Sequence, residues 1–194
     1  MTKQTYRISR GLELTQPKHR PKQTIFTVSD LHLNHRNIIR YCNRPFSTEN
    51  VNEMNEVLIN NWNHVVKPED TVFFVGDMAL GSSDKYIPKL NGNIFFISGN
   101  HDRSSDKNSM HESLYFTYKG KTFLFIHDPK YAPKDFEGWI IHGHHHNNYP
   151  DEFPFFDPER KRVNVSVELV RYQPVLFNYI NSLINEEHEK IVHL

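Results

Sequence analysis

The sequence holds one cysteine, Cys42, so no disulfide can form within the chain, and a reducing compartment suits it. It carries no excess of either charge: 23 Lys and Arg stand against 23 Asp and Glu. A balanced chain has no whole-molecule electrostatic footprint for duplex nucleic acid or an anionic membrane. No run approaches the ~20 apolar residues of a membrane span. Residues 1–23 are polar and basic, without the apolar core of an export signal. Internal repeats and low-complexity tracts are missing as well. These absences lead to the expectation of a soluble, unexported, cytoplasmic protein with no membrane partner and no strong signal for nucleic acid, although a local basic patch stays open. They leave the oligomeric state open.

What remains is a folded composition. Of 194 residues, 37% are apolar and 24% charged, with 14 Phe and 9 Tyr. That suits one domain with a sizeable core. Residues 1–23, with Pro17 and Pro21 near their end, read as an irregular extension, and residues 24–194 as a single domain. Thr24–Val28 reads as a strand. Thr48 is a candidate N-cap for a helix carrying Val51, Met54, Val57, Leu58, Trp62 and Val65 at helical spacing. Thr71–Val75 and Asn93–Ser98 read as buried strands, with a short helix near Tyr86–Leu90 between them. Leu114–Tyr118 and Thr122–Ile126 form a hairpin about Lys119-Gly120. Gly138–His142 and Val163–Leu169 are further strands. Pro174 opens a last helix, and the loop 144–158 is long and aromatic. Strands and helices alternate with a hairpin among them, which predicts a layered α/β or α+β domain.

Histidine is abundant, at 13 residues. Polar groups with metal-capable donors follow the apolar runs in order. Ser29-Asp30-Leu31-His32 follows the first strand, and Gly76-Asp77 the second. Gly99-Asn100-His101-Asp102 comes next, then His127, then Gly143-His144-His145-His146. Strand exits are where layered α/β folds tend to build sites. Extended i, i+2 pairs would point Asp30 with His32, and His144 with His146, toward a common cation. Each motif alone is weak: Gly-Asn-His-Asp reads as an ordinary turn, and a lone His127 is more often structural. Five such groups in this order are hard to explain that way.

The series resembles the signature of the calcineurin-like metallophosphoesterase superfamily, over residues 25–146. The resemblance implies a four-layer αββα sandwich with two divalent metals at the strand ends. Matched residue by residue, Asp30, His32 and His146 would hold one metal, Asn100, His127 and His144 the other, and Asp77 would bridge them. His101 would face the substrate as the catalytic proton donor, while His142 and His145 would point away. His35, Arg36 and Arg103 are candidates for substrate phosphate. Arg44, before Pro45, reads as structural.

The chemistry agrees with that matching. Two divalent ions bring four positive charges, and Asp30 and Asp77 cancel half. The site stays electropositive, attracts a phosphate and acidifies a water held between the ions, whose hydroxide would attack phosphorus. Mixed imidazole, carboxylate and amide donors suit Mn, Fe or Zn better than Ca or Mg. Met78-Ala79-Leu80-Gly81 lacks the second Asp and the Arg of the superfamily's protein phosphatases. Segment 35–62 resembles small bacterial or phage phosphoesterases. The expected activity is therefore hydrolysis of a small phosphodiester or phosphomonoester, a nucleotide being one option. The alternatives are a catalytically silent binding module on the same fold, as in the retromer subunit, and a nuclease.

Overall fold

The computed structural model describes residues 23–102 and 110–192, with side chains to residue 186. Arg103 and all of the expected extension but Gln23 lie outside the described residues. Among the described residues nine strands form two mixed sheets. The first contains β1 (Ile25–Val28), β2 (Thr71–Val75), β3 (Asn93–Ile97) and β9 (Val175–Leu176) in the order β3-β2-β1-β9. The second contains β4 (Ser113–Tyr118), β5 (Lys121–Ile126), β6 (Trp139–His142), β7 (Phe156–Asp157) and β8 (Arg162–Asn164) in the order β4-β5-β6-β8-β7. Among the described residues the α-helices are α1 (Arg36–Tyr41), α2 (Val51–Val65) and α3 (Phe177–Val192). This is the expected mixed α/β architecture with two sheets.

β2 shows why the sheets pack. Thr-Val-Phe-Phe-Val is apolar at nearly every position because both faces are covered. Alternation sends Phe73 toward the second sheet, where its ring lies 4.5 Å from Phe125 and 5.0 Å from Phe116. Phe74 takes the other face and meets Trp62 of α2 at 6.2 Å. Helix α2 buries Met54, Leu58, Trp62 and Val65, the stripe its spacing predicts. α3 packs on β1 and β9. A 3₁₀ turn, Pro129–Tyr131, packs on β6.

Several local expectations change. Asn50, not Thr48, caps α2: its Oδ1 accepts from the Glu53 amide at 3.3 Å. β3 is an edge strand and is only alternately covered, so it is not buried throughout. The strand read at Val163–Leu169 covers only Arg162–Asn164; beyond it the chain makes a single bridge, Ser166 to Ser29, and turns. Pro174 precedes the short strand β9, antiparallel to β1, and the last helix begins at Phe177. The aromatic loop contains β7, whose Phe156 stacks on Trp139 at 5.3 Å. The hairpin has positive φ at both Lys119 (48°) and Gly120 (78°), the two-residue turn that matches strand twist.

For the site, direction matters most. β1, β2 and β3 are mutually parallel, as are β5, β6 and β8. Each set delivers its following loops at one end. Backbone bonds tie the strand exits there: Ser29 N donates to Val165 O across the sheets (3.0 Å), while Val165 N to His142 O (2.8 Å) and Gly143 N to His127 O (3.0 Å) link exits of the second sheet.

Candidate metal centre

The donors named from the sequence converge. Asp30 Oδ1 lies 3.9 Å from His32 Nε2 and 3.7 Å from His146 Nε2. Its other oxygen is occupied: Oδ2 accepts from Ser29 Oγ (2.6 Å), Ser166 Oγ (2.9 Å) and the His144 amide (3.0 Å). The carboxylate is thus pinned with one oxygen facing the imidazoles. Asn100 Oδ1 lies 3.1 Å from His127 Nε2 and 2.9 Å from His144 Nδ1. Asp77 stands between the groups, with Oδ2 3.3 Å from His32 Nε2 and 3.4 Å from His127 Nε2. Its Oδ1 accepts from the His101 amide at 2.9 Å.

The backbone reaches this geometry differently from the extended pairs expected. Asp30 (φ 60°), His32 (48°), Asp77 (62°), His144 (71°) and His146 (51°) are all left-handed. Sharp turns, not strand alternation, aim these side chains. Such conformations cost energy and persist where surrounding structure over-determines them. Here the loops brace one another: Asp30 N donates to Gly76 O (2.9 Å), His32 N to Asp77 O (3.0 Å) and Leu33 N to Met78 O (2.9 Å). Two glycines allow the close approach. A Cβ on Gly99 would strike the Asp77 carboxylate, and one on Gly143 would strike Asp30 Oδ2 and Ser29 Oγ.

Residues that sequence reasoning passed over do the bracing. Asp102 accepts from the amides of Asp77 (3.0 Å), Met78 (3.0 Å) and Gly99 (2.7 Å), tying two donor loops together. It sits inside Gly-Asn-His-Asp, so its motif offered a signal. Ser166 and Glu168 follow β8 and carry no local signal. Arg44 is structural, as expected: it is buried and donates to the carbonyls of Asp30 (2.7 Å) and Leu31 (2.8 Å).

The remaining candidates divide. His101 is exposed, its ring 5.2 Å from that of His32. His35 is half-buried, with Nδ1 3.3 Å from His32 Nδ1 and its ring 6.2 Å from His101. Arg36 is exposed at the start of α1. His142 is buried with Nδ1 against its neighbour's carbonyl, Gly143 O, and His145 stacks flat on Phe153 at 3.4 Å; both lie off the donor ring.

The electrostatics favour cations. Burial opposes charge on His127, yet the hydrogen bond to Asp77 and the charge of Asp30 push it up to about 9. Burial likewise opposes charge on His146, but Asp30, Cys42 and Glu168 raise it to about 11. Burial works against the Asp77 carboxylate, while His127 and His32 hold it far below its ordinary range. His35 goes the other way: burial and the neighbouring His32 and His101 lower it to about 4. Asp30, His32 and His146 can gather donor atoms within 4.8 Å of one another, as can Asp30, Asp77 and His127. His32 Nε2 is buried without an aligned hydrogen bond, although Asp77 Oδ2 is near. A buried imidazole nitrogen left unbonded among carboxylates fits a metal ligand.

Beside Asn100, His127 and His144 opens a cavity of about 640 Å³ that extends to Glu112, Lys130 and Tyr131.

The two-sheet fold is the one expected, and the chain belongs to the family of a relative with which it aligns over most of both lengths. It is similar to the uncharacterized protein MJ1445 of Methanocaldococcus jannaschii, 48% identical over 168 residues, covering 84% of this chain and 92% of that protein. Among solved structures it resembles the protein of unknown function AQ665 from Aquifex aeolicus, with TM-score 0.61 and 23% identity over 84% of this chain and all of the other; this likeness is one of fold. An archaeal phosphodiesterase aligns with TM-score 0.42 and 19% identity over 74% of this chain and 82% of its own. No protein-family model matches the chain. Among the described residues no helix is long and apolar enough to cross a membrane.

Proposed function

We propose that the protein is a two-metal-dependent phosphoesterase acting on small phosphodiesters or phosphomonoesters. The observation that carries this reading is the position of Asp77, with one oxygen 3.3 Å from His32 Nε2 and 3.4 Å from His127 Nε2. A carboxylate so placed can serve two cations. Asp30, His32 and His146 would hold one; Asn100, His127 and His144 the other. Two divalent ions in these positions would supply Lewis acidity and a water activated near neutral pH, with Mn, Fe or Zn the metals best suited to the donors.

The chain's own residues do the rest. The half-open side of the ring, at Asn100 and His144, admits the phosphate. The adjoining cavity has room for one of its ester groups. His101 stands outside the donor set, exposed and close to His32, where it can give a proton to a departing alkoxide. His35 and Arg36 flank that side and would meet phosphate oxygens. His35 is held mostly neutral, so it would act as a hydrogen-bond donor and not as a cation. Arg103 extends the same proposal beyond the described residues.

A silent binding module would not need the complete donor set with His101, and the small cavity does not favour a nuclease. The test is an assay of stripped protein, reloaded with Mn, Fe, Zn or Mg, on a panel of phosphomonoesters, phosphodiesters and cyclic nucleotides. Metal-dependent release from at least one ester is expected. Silence across the panel with both metals bound would overturn the enzymatic reading.

A further inference from the structure

Glu168 sits in the turn after β8 with its side chain 1% exposed. Its Oε1 accepts from three nitrogens: His146 Nδ1 at 3.0 Å, Arg44 Nε at 2.9 Å and Arg44 Nη2 at 2.7 Å. Burial opposes ionisation, but Arg44 and His146 hold this carboxyl down at about 2. The same guanidinium donates to the backbone carbonyls of Asp30 and Leu31. One buried arginine therefore touches the turn that carries Asp30 and His32, and reaches His146 through Glu168. The other donors are braced otherwise: His127 Nδ1 bonds Val75 O at 2.8 Å.

A buried Arg–Glu pair is a poor source of stability, because desolvating both charges offsets most of their attraction. What it provides is register. An imidazole whose Nδ1–H is held by a carboxylate has its tautomer and ring plane fixed, with Nε2 left as the lone-pair donor. In His146 that Nε2 faces Asp30 Oδ1. Cys42, His146 and Glu168 could also be viewed as a third cation site. Arg44 argues against it: Glu168 Oε2 has no hydrogen-bond partner, but the guanidinium already paired with Oε1 would repel a cation placed there.

We propose that Arg44 and Glu168 are a positioning pair that sets all three donors of one cation, Asp30, His32 and His146, and none of the three terminal donors of the other. The proposal rests on the two-metal reading above. It makes the two sites separable by a substitution that touches no ligand.

The experiment is calorimetric titration of Zn or Mn into stripped wild-type protein and Glu168→Gln, with circular dichroism to compare the folds. Glutamine keeps the shape and one acceptor oxygen while removing the charge. The expected result is two bound metals in both proteins, with one affinity reduced roughly 10- to 100-fold and the other unchanged. Equal weakening of both sites, or of neither, in a folded variant would overturn the proposal. A second measurement needs no variant. Nitrogen NMR of ¹⁵N-histidine-labelled, Zn-loaded wild type should show His146 protonated at Nδ1 and shifted by metal at Nε2. Metal at Nδ1 would overturn it. If the chain binds no metal, the two-metal reading fails by itself. The Glu168 hydrogen bond is then still read from a slowly exchanging Nδ1–H in the metal-free protein, and its absence rejects the pair's role.

Discussion

Asp30, His32 and His146 are 0, 1 and 7% exposed, and every one is held from behind by side chains or backbone. Asn100 is exposed and the His144 imidazole is 29% exposed, with a cavity at their side. The two halves of the ring therefore differ in kind. The first is built like a core, with polar atoms satisfied and one direction left free. The second is built like a binding surface at Asn100 and His144, over a buried His127 that is 4% exposed. Asp77 belongs to both, and its loop is braced from either side by Asp102 and the β1 loop. Under the proposed function, this contrast gives substrate access to the second half and fixed geometry to the first.

The strongest way to break the comparison is to remove what the halves share. Asp77→Ala should abolish turnover, by at least about 100-fold, and weaken both metals together. Wild-type hydrolysis by this variant, or loss confined to one metal, would undo the bridging role. His101→Ala tests the open side alone. Metal content should be unchanged while alkyl esters slow by about 10²- to 10⁴-fold. Nitrophenyl esters, which leave without a proton, should slow far less; equal slowing for both would remove His101 as the donor. Gly99→Ala probes the close approach beneath Asp77. The new methyl group would occupy the carboxylate's place, so metal affinity should fall at both sites, with about 1–3 kcal/mol lost from folding. Unchanged affinity and Tm would show that the loop yields easily.

The smallest effect is a pH dependence in the metal-free protein. His127 and His146 rise from 6.5 to about 9 and 11 in the fold, so their contribution is complete below 6.5 and is lost as pH climbs through those values. Glu168 falls from 4.5 to about 2, so its contribution is present above 4.5 and is lost on acidification toward 2. His35 and His142, lowered from 6.5 to about 4, cost stability as pH falls below 6.5, so stripped protein should be most stable near pH 6.5. Added metal should raise Tm more at pH 8.5 than at 6, because metal and protons compete for the same imidazoles. A stripped protein whose Tm rises from pH 6 to 9 would contradict this, and so would metal affinity independent of pH.

Asp30, His32, Asp77, Asn100, His127, His144 and His146 were all legible because each follows an apolar run of the right length, and the structure brings them together. The way they are aimed was not. Extended pairing was the simple inference from i, i+2 spacing, yet the chain leaves β1, β2 and β6 in left-handed turns, which Asp, Asn and His tolerate better than most residues. The cap of α2 at Asn50 lay within the usual error of boundary reading, since Thr48 and Asn50 are both competent caps. β9 was hidden because two residues give no periodicity; only pairing with β1 makes Val175–Leu176 a strand.

By itself the sequence determined most of the strands, the hairpin, the amphipathic stripe of α2 and the candidate donors, because each depends on local spacing and side-chain chemistry. Tertiary structure alone decided that Glu168, 124 residues from Arg44, closes on it and on His146. It also decided that one side of the ring is sealed and the other open. Those outcomes depend on which chain segments meet at the parallel strand ends, and no local pattern carries that information.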